Sequence, residues 1–123
     1  MNTYKVLIAE DDPILATIIA KILSDFGIEN VCVNAGKDAL EKYNREYFDM
    51  VLMDIQMADL NGLEVSSEIR KTNSHILIIA LTSLPYEEIE LDLAKSGINH
   101  YIAKPPKASE LKELLLEYFK SAA

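Results

Sequence analysis

The sequence is poor in several residue types whose scarcity limits what the chain can be. It has one cysteine, no tryptophan, four glycines and four prolines in 123 residues. A single Cys32 leaves no partner for an internal disulfide, which favours the cytoplasm over an oxidising compartment. Glycine and proline are too few for a disordered chain, and 50% of the residues are apolar. We therefore expect one domain over residues 1–123, with a substantial core.

Basic residues are also scarce, since 12 Lys and Arg stand against 20 Asp and Glu, for a net charge of -8. Phosphate contacts need clustered Lys and Arg, so this balance argues against nucleic acid as a direct partner and against an anionic membrane surface. No apolar run approaches the roughly 18 residues of a membrane span. The opening residues 1–5 lead directly into an apolar run without the shape of a signal peptide, which favours a cytoplasmic protein.

Short apolar runs alternate with segments of helical periodicity along the chain. The predicted strands are Val6–Ala9, Val31–Val33, Met50–Met53, Ile76–Leu81 and Tyr101–Ala103. The predicted helices are 14–26, 34–45 with Asn34 as its cap, 63–71, 85–96, and 109–120 with Ser109 as its cap. Unbroken apolar strands are typical of a parallel sheet buried on both faces. The pattern favours a doubly wound α/β fold of flavodoxin-like type, with five parallel strands in the order 2-1-3-4-5 and five flanking helices.

Side chains capable of chemistry follow the strands at one edge of this sheet. In a parallel sheet all strands end on the same side, and ligands bind at that edge. The fold places there Glu10, Asp11 and Asp12 after the first strand, Asp54 after the third, Thr82 after the fourth and Lys104 after the fifth. Two carboxylates ~4 Å apart repel by about 4 kcal/mol at an effective dielectric of ~20, so the acidic group requires a cation. Carboxylate oxygens without Cys or His ligands favour Mg²⁺.

A carboxylate nucleophile, a divalent cation, a lysine and a hydroxyl are the groups that phosphoryl transfer onto an aspartate requires. Asp54 is the candidate nucleophile, with Lys104 and Thr82 beside it. Each feature alone has an ordinary structural interpretation, because an aspartate can cap a loop and acidic residues favour a helix N-terminus. The coincidence of all of them at one edge favours chemistry, whereas Asp12 is assigned to the helix start.

Several motifs at these positions resemble the response-regulator receiver domain of two-component phosphorelays, over essentially the whole chain. They are Val6-Leu7-Ile8-Ala9-Glu10-Asp11, Val51-Leu52-Met53-Asp54-Ile55-Gln56-Met57 with Asn61-Gly62, Ala80-Leu81-Thr82, and Tyr101-Ile102-Ala103-Lys104-Pro105. The resemblance implies that Asp54 accepts a phosphoryl group from a histidine kinase or a histidine phosphotransfer protein. It also implies a Mg²⁺ site formed by Asp11, Asp54, the backbone carbonyl of Gln56 and, through water, Glu10.

The resemblance further assigns Lys104 and Thr82 to the phosphoryl oxygens. Tyr101 is assigned to a switch, in which its ring turns inward when Thr82 is drawn to the phosphate. A cis Lys104–Pro105 bond is expected, and so is a signalling module with at most weak self-dephosphorylation. One departure lies beside the site, because Ser83 stands where receivers commonly have Ala or Gly and adds a hydroxyl.

Two other functions suit the same architecture. An aspartate-nucleophile phosphatase would need a second acid two positions after Asp54, where the chain has Gln56. A flavin or nucleotide binder would need a phosphate loop rich in glycine and hydroxyl groups after the first strand, where Glu10 and Asp11 repel phosphate. The sequence leaves open whether the chain is a free-standing regulator or a piece of a hybrid sensor kinase.

Apolar residues beside the acidic edge mark the expected partner surface. Ile14 and Leu15, at the start of the first helix, are the candidates for contact with a partner helix that carries a phosphohistidine. The last helix has no Arg for forked ion pairs between copies, so we expect a monomer in the unphosphorylated state.

Overall fold

The computed structural model describes residues 4–119, and five parallel strands form a single sheet within that range. The strands are β1 (Lys5–Ala9), β2 (Glu29–Val33), β3 (Met50–Asp54), β4 (Leu77–Thr82) and β5 (His100–Ala103). Their order is β2-β1-β3-β4-β5, which confirms the predicted doubly wound topology. All four pairings are parallel, so the carboxyl ends of the five strands share one edge of the sheet.

Five helices cover the two faces of the sheet. They are α1 (Pro13–Asp25), α2 (Gly36–Arg45), α3 (Gly62–Arg70), α4 (Tyr86–Lys95) and α5 (Ala108–Tyr118). Every predicted helix is present, with bounds within a few residues of the expected ones. No helix within residues 4–119 is long and apolar enough to cross a membrane.

The central strands are buried on both faces, as their unbroken apolar sequences predict. On one face, Ile8 and Leu52 pack with side chains of α1 and α5. On the other face, Leu7 and Val51 pack with side chains of α2 and α3. Because successive strand residues point to opposite faces, each central strand contributes to both halves of the core. This double burial fixes the strand register and, with it, the residues that stand at the carboxyl edge.

Asp12 is the N-cap of α1, in agreement with its assignment to the helix start. Its Oδ1 accepts hydrogen bonds from the backbone N–H groups of Ile14 at 2.9 Å and Leu15 at 3.3 Å. These amides have no partner within the helix, and an aspartate at the N-cap satisfies them. Asp12 is therefore a structural residue at the border of the acidic edge.

The prediction of Asn34 as the cap of the second helix is wrong. The N-cap is Ala35, whose side chain makes no capping bond. A residue distant in sequence supplies the acceptor instead, because the Asp59 carboxylate accepts from the backbone N–H groups of Gly36 and Lys37. With its first amides satisfied in this way, α2 needs no local cap and begins after Ala35.

The prediction of Ser109 as the cap of the last helix is also wrong. The helix begins earlier, at Ala108, with Lys107 at the N-cap and no side-chain capping bond. Ser109 already has helical conformation in the first turn, so its hydroxyl is not placed at a cap position. The predicted end near Lys120 lies outside the described residues, and α5 is described to Tyr118.

Candidate functional site

The three acidic residues expected to converge do so at the carboxyl edge. Glu10 and Asp11 follow β1, Asp54 ends β3, and the two strands pair with Ala9 opposite Met53. One carboxylate oxygen from each of Glu10, Asp11 and Asp54 lies within 4.8 Å of the others. Glu10 and Asp54 are each 1% exposed, whereas Asp11 is exposed to solvent. The three acids therefore form a negatively charged pocket that is open on the side of Asp11.

Lys104, which directly follows the outermost strand β5, provides the compensating positive charge. Its ammonium Nζ lies 2.9 Å from Glu10 Oε1 and 3.2 Å from Asp54 Oδ1. Partial burial lowers the pKa of Lys104, but its hydrogen bond to Glu10 and the charge of Asp54 outweigh this, so its pKa is raised. The site therefore favours the charged form of Lys104. The peptide bond between Lys104 and Pro105 is cis, as expected.

Asp54 is the most perturbed group of the edge. Burial, the neighbouring carboxyl group of Asp11 and the charge of Glu10 raise its pKa from an ordinary 3.8 to about 7. The backbone N–H of Gln56, 2.9 Å from Asp54 Oδ1, and the charge of Lys104 act in the opposite direction without cancelling the increase. The carboxylate thus stands in an environment that disfavours its negative charge.

The second carboxylate oxygen of Asp54, Oδ2, differs from Oδ1 in its hydrogen bonding. Asp54 Oδ2 is buried and accepts no hydrogen bond from the described part of the chain. Buried carboxylate oxygens without a partner are rare, because each forfeits the hydrogen bonds it would make in water. The Asp54 carboxyl group, together with Glu10 and Asp11, completes an all-carboxylate donor set, which fits a hard divalent cation. Oδ2 is the atom of Asp54 left available to attack an electrophile.

Thr82 and Tyr101 are linked through the loop after β4. Thr82 ends β4 and is fully buried, and its Oγ1 accepts from the backbone N–H of Leu84 at 3.1 Å. The Tyr101 hydroxyl donates to the carbonyl oxygen of the same Leu84 at 2.7 Å. The half-buried Tyr101 ring also packs edge-on against Tyr86, with 5.4 Å between ring centroids. A shift of the Thr82 hydroxyl away from Leu84 would therefore act on the same segment that holds Tyr101.

Ser83 and Gln56 make a contact that the sequence alone did not specify. The Ser83 hydroxyl donates to Gln56 Oε1 at 3.3 Å, and both residues are exposed. The bond joins the loop after β3 to the loop after β4. The extra hydroxyl noted in the sequence is thus engaged with Gln56.

The predicted partner residues differ in exposure. Ile14 is 73% exposed, whereas Leu15 is half-buried and packs against the core on the α1 side. Ile18, which was not predicted, is 49% exposed and lies one turn after Ile14. Residues four apart share a helix face, so Ile14 and Ile18 form the exposed apolar strip of α1.

Gly62 holds the loop after β3 against the site. A Cβ atom at this position would lie 2.4 Å from the carbonyl oxygen of Asp54, so only glycine allows this approach. The Gly62 N–H also donates to the Ile55 carbonyl at 3.0 Å. Asn61-Gly62 is one of the motifs that resemble those of receiver domains, and the structure gives the steric reason for the glycine.

The fold and the site together define a class: a doubly wound α/β domain with a cluster of acidic residues at the carboxyl edge of its sheet. Comparison with known proteins gives the family, because the response regulator receiver domain matches residues 6–116. The chain belongs to the response regulator receiver domain family, which acts in two-component signal transduction.

Similar curated proteins include both sensors and regulators. The chain is 35% identical to hybrid signal transduction histidine kinase L of Dictyostelium discoideum, in a match that covers 95% of this chain. It is 33% identical to transcriptional regulatory protein ZraR of Klebsiella oxytoca, in a match that covers 91% of this chain. The matched regions make up only 7% and 25% of those two proteins, so the similarity concerns one domain of each.

A solved structure agrees in both fold and sequence. The receiver domain of sensor histidine kinase PA1611 from Pseudomonas aeruginosa PAO1 matches with a TM-score of 0.87 and 30% identity. The match covers 97% of this chain and 99% of that one. That receiver domain was crystallised with a magnesium ion coordinated in its active-site cleft.

Proposed function

We propose that this chain is a phosphoacceptor domain in which Asp54 takes a phosphoryl group from a phosphohistidine. The donor is a histidine kinase or a histidine phosphotransfer protein, and the reaction depends on Mg²⁺. One observation carries the proposal: Asp54 Oδ2 is buried without a hydrogen-bond partner among the described residues, while Oδ1 lies 3.2 Å from the Lys104 ammonium. The carboxylate therefore has one oxygen held by the protein and one free to react.

The proposed step is a nucleophilic displacement at phosphorus. Asp54 Oδ2 forms the new P–O bond as the P–N bond of the phosphohistidine breaks, and the bonding electrons leave with the imidazole. Lys104 lies where its ammonium neutralises one phosphoryl oxygen, and the Thr82 hydroxyl donates to another. Thr82 ends β4 and Lys104 directly follows the neighbouring strand β5, so one sheet holds both residues at the edge that carries Asp54.

The metal site that we propose consists of Asp11, Asp54, Glu10 through water, and the backbone carbonyl of Gln56. The mutual distance of the three carboxylates supports it. Mg²⁺ bound there supplies positive charge to the transferred group and relieves the repulsion among the three acids. Lys104 is a single cation beside these acids, and the pKa of Asp54 stays raised, chiefly by burial and also by Asp11 and Glu10.

The switch that we propose passes through Leu84. When the Thr82 hydroxyl turns to a phosphoryl oxygen, it no longer accepts from the Leu84 N–H, and the loop after β4 is released from it. The Tyr101 hydroxyl is bound to the carbonyl of the same residue, so movement of the loop frees the tyrosine to turn inward. Phosphorylation at one strand end would thereby change the surface around α4 and β5.

The chain acts, in this proposal, as a signalling module and not as an aspartyl phosphatase. A phosphatase of that class needs a second acid two positions after the nucleophile, where Gln56 is engaged by Ser83. We further infer a single receiver domain over residues 1–123, monomeric when unphosphorylated and located in the cytoplasm. The exposed free thiol of Cys32 is consistent with a reducing compartment.

The partner surface that we propose is centred on Ile14 and extends to the partly buried Leu15. Ile14 is exposed and lies directly beside the acidic edge, as a docking residue must. An amphipathic helix that carries a phosphohistidine can lay its apolar side on this surface and present the phosphoryl group to Asp54.

Phosphoramidate tests the chemistry without a protein partner, because its P–N bond is the counterpart of the one in phosphohistidine. Intact-mass spectrometry should show one added phosphoryl group after incubation with phosphoramidate and millimolar Mg²⁺. A sample in excess chelator should stay unmodified. The proposal fails if no adduct forms with Mg²⁺, or if the adduct forms equally well in chelator.

A further inference from the structure

Asp59 makes an unusual connection between two separate parts of the fold. It lies in the loop between β3 and α3, on the same segment as Gln56. Its Oδ1 accepts from the backbone N–H of Gly36 at 2.9 Å, and its Oδ2 accepts from that of Lys37 at 3.0 Å. Both carboxylate oxygens are thus used on the first two amides of α2.

The start of α2 in turn depends on the contact with Asp59. The N-cap of α2, Ala35, makes no side-chain bond, so Asp59 supplies the acceptor that the helix lacks. The backbone approach is equally close, since a Cβ atom on Gly36 would lie 2.0 Å from the Leu60 carbonyl oxygen. The loop and the start of α2 are therefore fitted to each other by a side chain on one part and a glycine on the other.

The middle of this loop has few other polar attachments. At its ends, Gly62 bonds to the Ile55 carbonyl, and the Gln56 N–H bonds to Asp54 Oδ1. Within residues 4–119, the hydrogen bonds from loop residues 57–60 to another helix or strand are those of Asp59. Met57 adds apolar packing on the α2 and α3 side of the core. Asp59 is thus the polar anchor of the segment that follows Gln56.

We propose that Asp59 is a positioning residue for the metal site: by binding the start of α2, it holds the loop so that the Gln56 carbonyl faces the acidic pocket. This inference rests on the proposed function, in which that carbonyl is a metal ligand. Asp59 itself is not a ligand, because both of its oxygens bond to α2. A loop released from α2 must be ordered when metal binds, and that entropy reduces the affinity.

Magnesium affinity of the unphosphorylated protein is the readout. ¹⁵N-labelled protein is titrated with Mg²⁺, and the dissociation constant is taken from the backbone amide shifts. The variants are Asp59→Ala and Asp59→Asn, the second of which keeps one acceptor oxygen and guards against failure of the first to fold. Asn73→Ala is the matched control: Asn73 Oδ1 also accepts from two backbone amides, those of His75 and Ile76, just before β4 at the opposite edge of the sheet. Urea midpoints of all proteins are measured in parallel.

We expect Asp59→Ala to weaken Mg²⁺ binding roughly fivefold, less than the 10–100-fold typical of groups bonded directly to a metal ligand. Asp59→Asn should fall between it and wild type, and Asn73→Ala should lower the urea midpoint while leaving the Mg²⁺ affinity unchanged. Equal affinity in Asp59→Ala and wild type would overturn the inference, and so would an equal loss in Asn73→Ala. If wild type itself bound no Mg²⁺, the proposed function would have failed first.

Discussion

The Lys104 ammonium lies within 3.2 Å of Asp54 Oδ1 and 2.9 Å of Glu10 Oε1, so one cation serves two buried carboxylates. It reaches them from the end of β5, past the end of β4. One charge does not balance two, and burial together with the neighbouring acids Asp11 and Glu10 raises the pKa of Asp54 to about 7. The metal-free site is therefore electrostatically strained, and this strain leads to opposite predictions for its basic and acidic members.

Removing the lysine should destabilise the metal-free protein. Lys104→Met leaves Glu10 and Asp54 facing each other without a cation, which should cost about 2 kcal/mol, below the 3–5 kcal/mol of a fully buried pair because the lysine is partly exposed. Urea unfolding in chelator measures the loss. Saturating Mg²⁺ should restore part of it. An unchanged free energy of unfolding in chelator would mean that the lysine does not compensate the acids.

Removing an acid should have the opposite effect. Asp54→Asn keeps the shape but deletes the charge at the centre of the cluster, so the metal-free protein should gain about 1–2 kcal/mol. Asp11→Asn should gain less, because Asp11 is exposed and its repulsion is screened by solvent. Mg²⁺ should stabilise wild type more than either variant. If both variants unfold more easily than wild type in chelator, the acids are structural caps and the metal site is misassigned.

The pH dependence of stability follows from the raised pKa of Asp54. The folded protein holds the Asp54 proton up to about pH 7, whereas the unfolded chain releases it near 3.8. The stabilisation is fully present below 3.8 and is lost as pH rises through 7, because only the folded state still binds the proton in between. In chelator, wild type should lose about 2 kcal/mol between about pH 4.5 and about pH 8 relative to Asp54→Asn. Parallel pH profiles of the two proteins would contradict the assignment.

Ser66 offers a test of core packing that is independent of the site. Its hydroxyl is fully buried in α3 and has no hydrogen-bond partner among the described residues. Ser66→Ala replaces the hydroxyl by hydrogen and so removes an unsatisfied polar atom, which should stabilise the protein by about 1 kcal/mol. Urea unfolding with millimolar Mg²⁺ is the measurement. A loss of stability would show that the hydroxyl has a partner.

The partner surface predicts a difference between two kinds of phosphodonor. Ile14→Asp should slow phosphoryl transfer from a phosphohistidine protein roughly tenfold, as expected when about 1.4 kcal/mol of apolar contact is lost. Its rate with phosphoramidate should be unchanged. Leu91→Asp is the matched control, because Leu91 is 74% exposed and also lies on a helix, α4, whose buried residues belong to a different core cluster from those of α1. Equal slowing with both donors would assign Ile14 a structural role instead.

The convergence of Glu10, Asp11 and Asp54 was predictable from sequence, and the reason is topological. Unbroken apolar runs identify parallel strands, and the order 2-1-3-4-5 makes β1 and β3 neighbours, so residues at their carboxyl ends must meet. The position of Lys104 at the same edge was predictable in the same way, because Lys104 follows β5. The periodicity of the apolar residues and the positions of the strand ends thus predict most of the fold and the positions of the site residues.

The capping of α2 was not predictable, because its acceptor is 22 to 23 residues away along the chain. Local propensity favoured Asn34, a good N-cap type, but the loop that carries Asp59 supplies the bonds. The exposure of Ile18 relative to Leu15 likewise depends on how α1 lies on the sheet. Features set by contacts between distant segments are those that a single sequence does not specify.

The identity of the phosphoacceptor is the central claim, and chemical trapping tests it most directly. Wild type is phosphorylated with phosphoramidate and Mg²⁺ and then treated with borohydride, which reduces an aspartyl acyl phosphate to homoserine. Peptide mass spectrometry then locates the reduced residue. We predict homoserine at position 54 alone, with none in Asp54→Asn. Homoserine at position 11 or 12, or an adduct that persists in Asp54→Asn, would contradict the assignment.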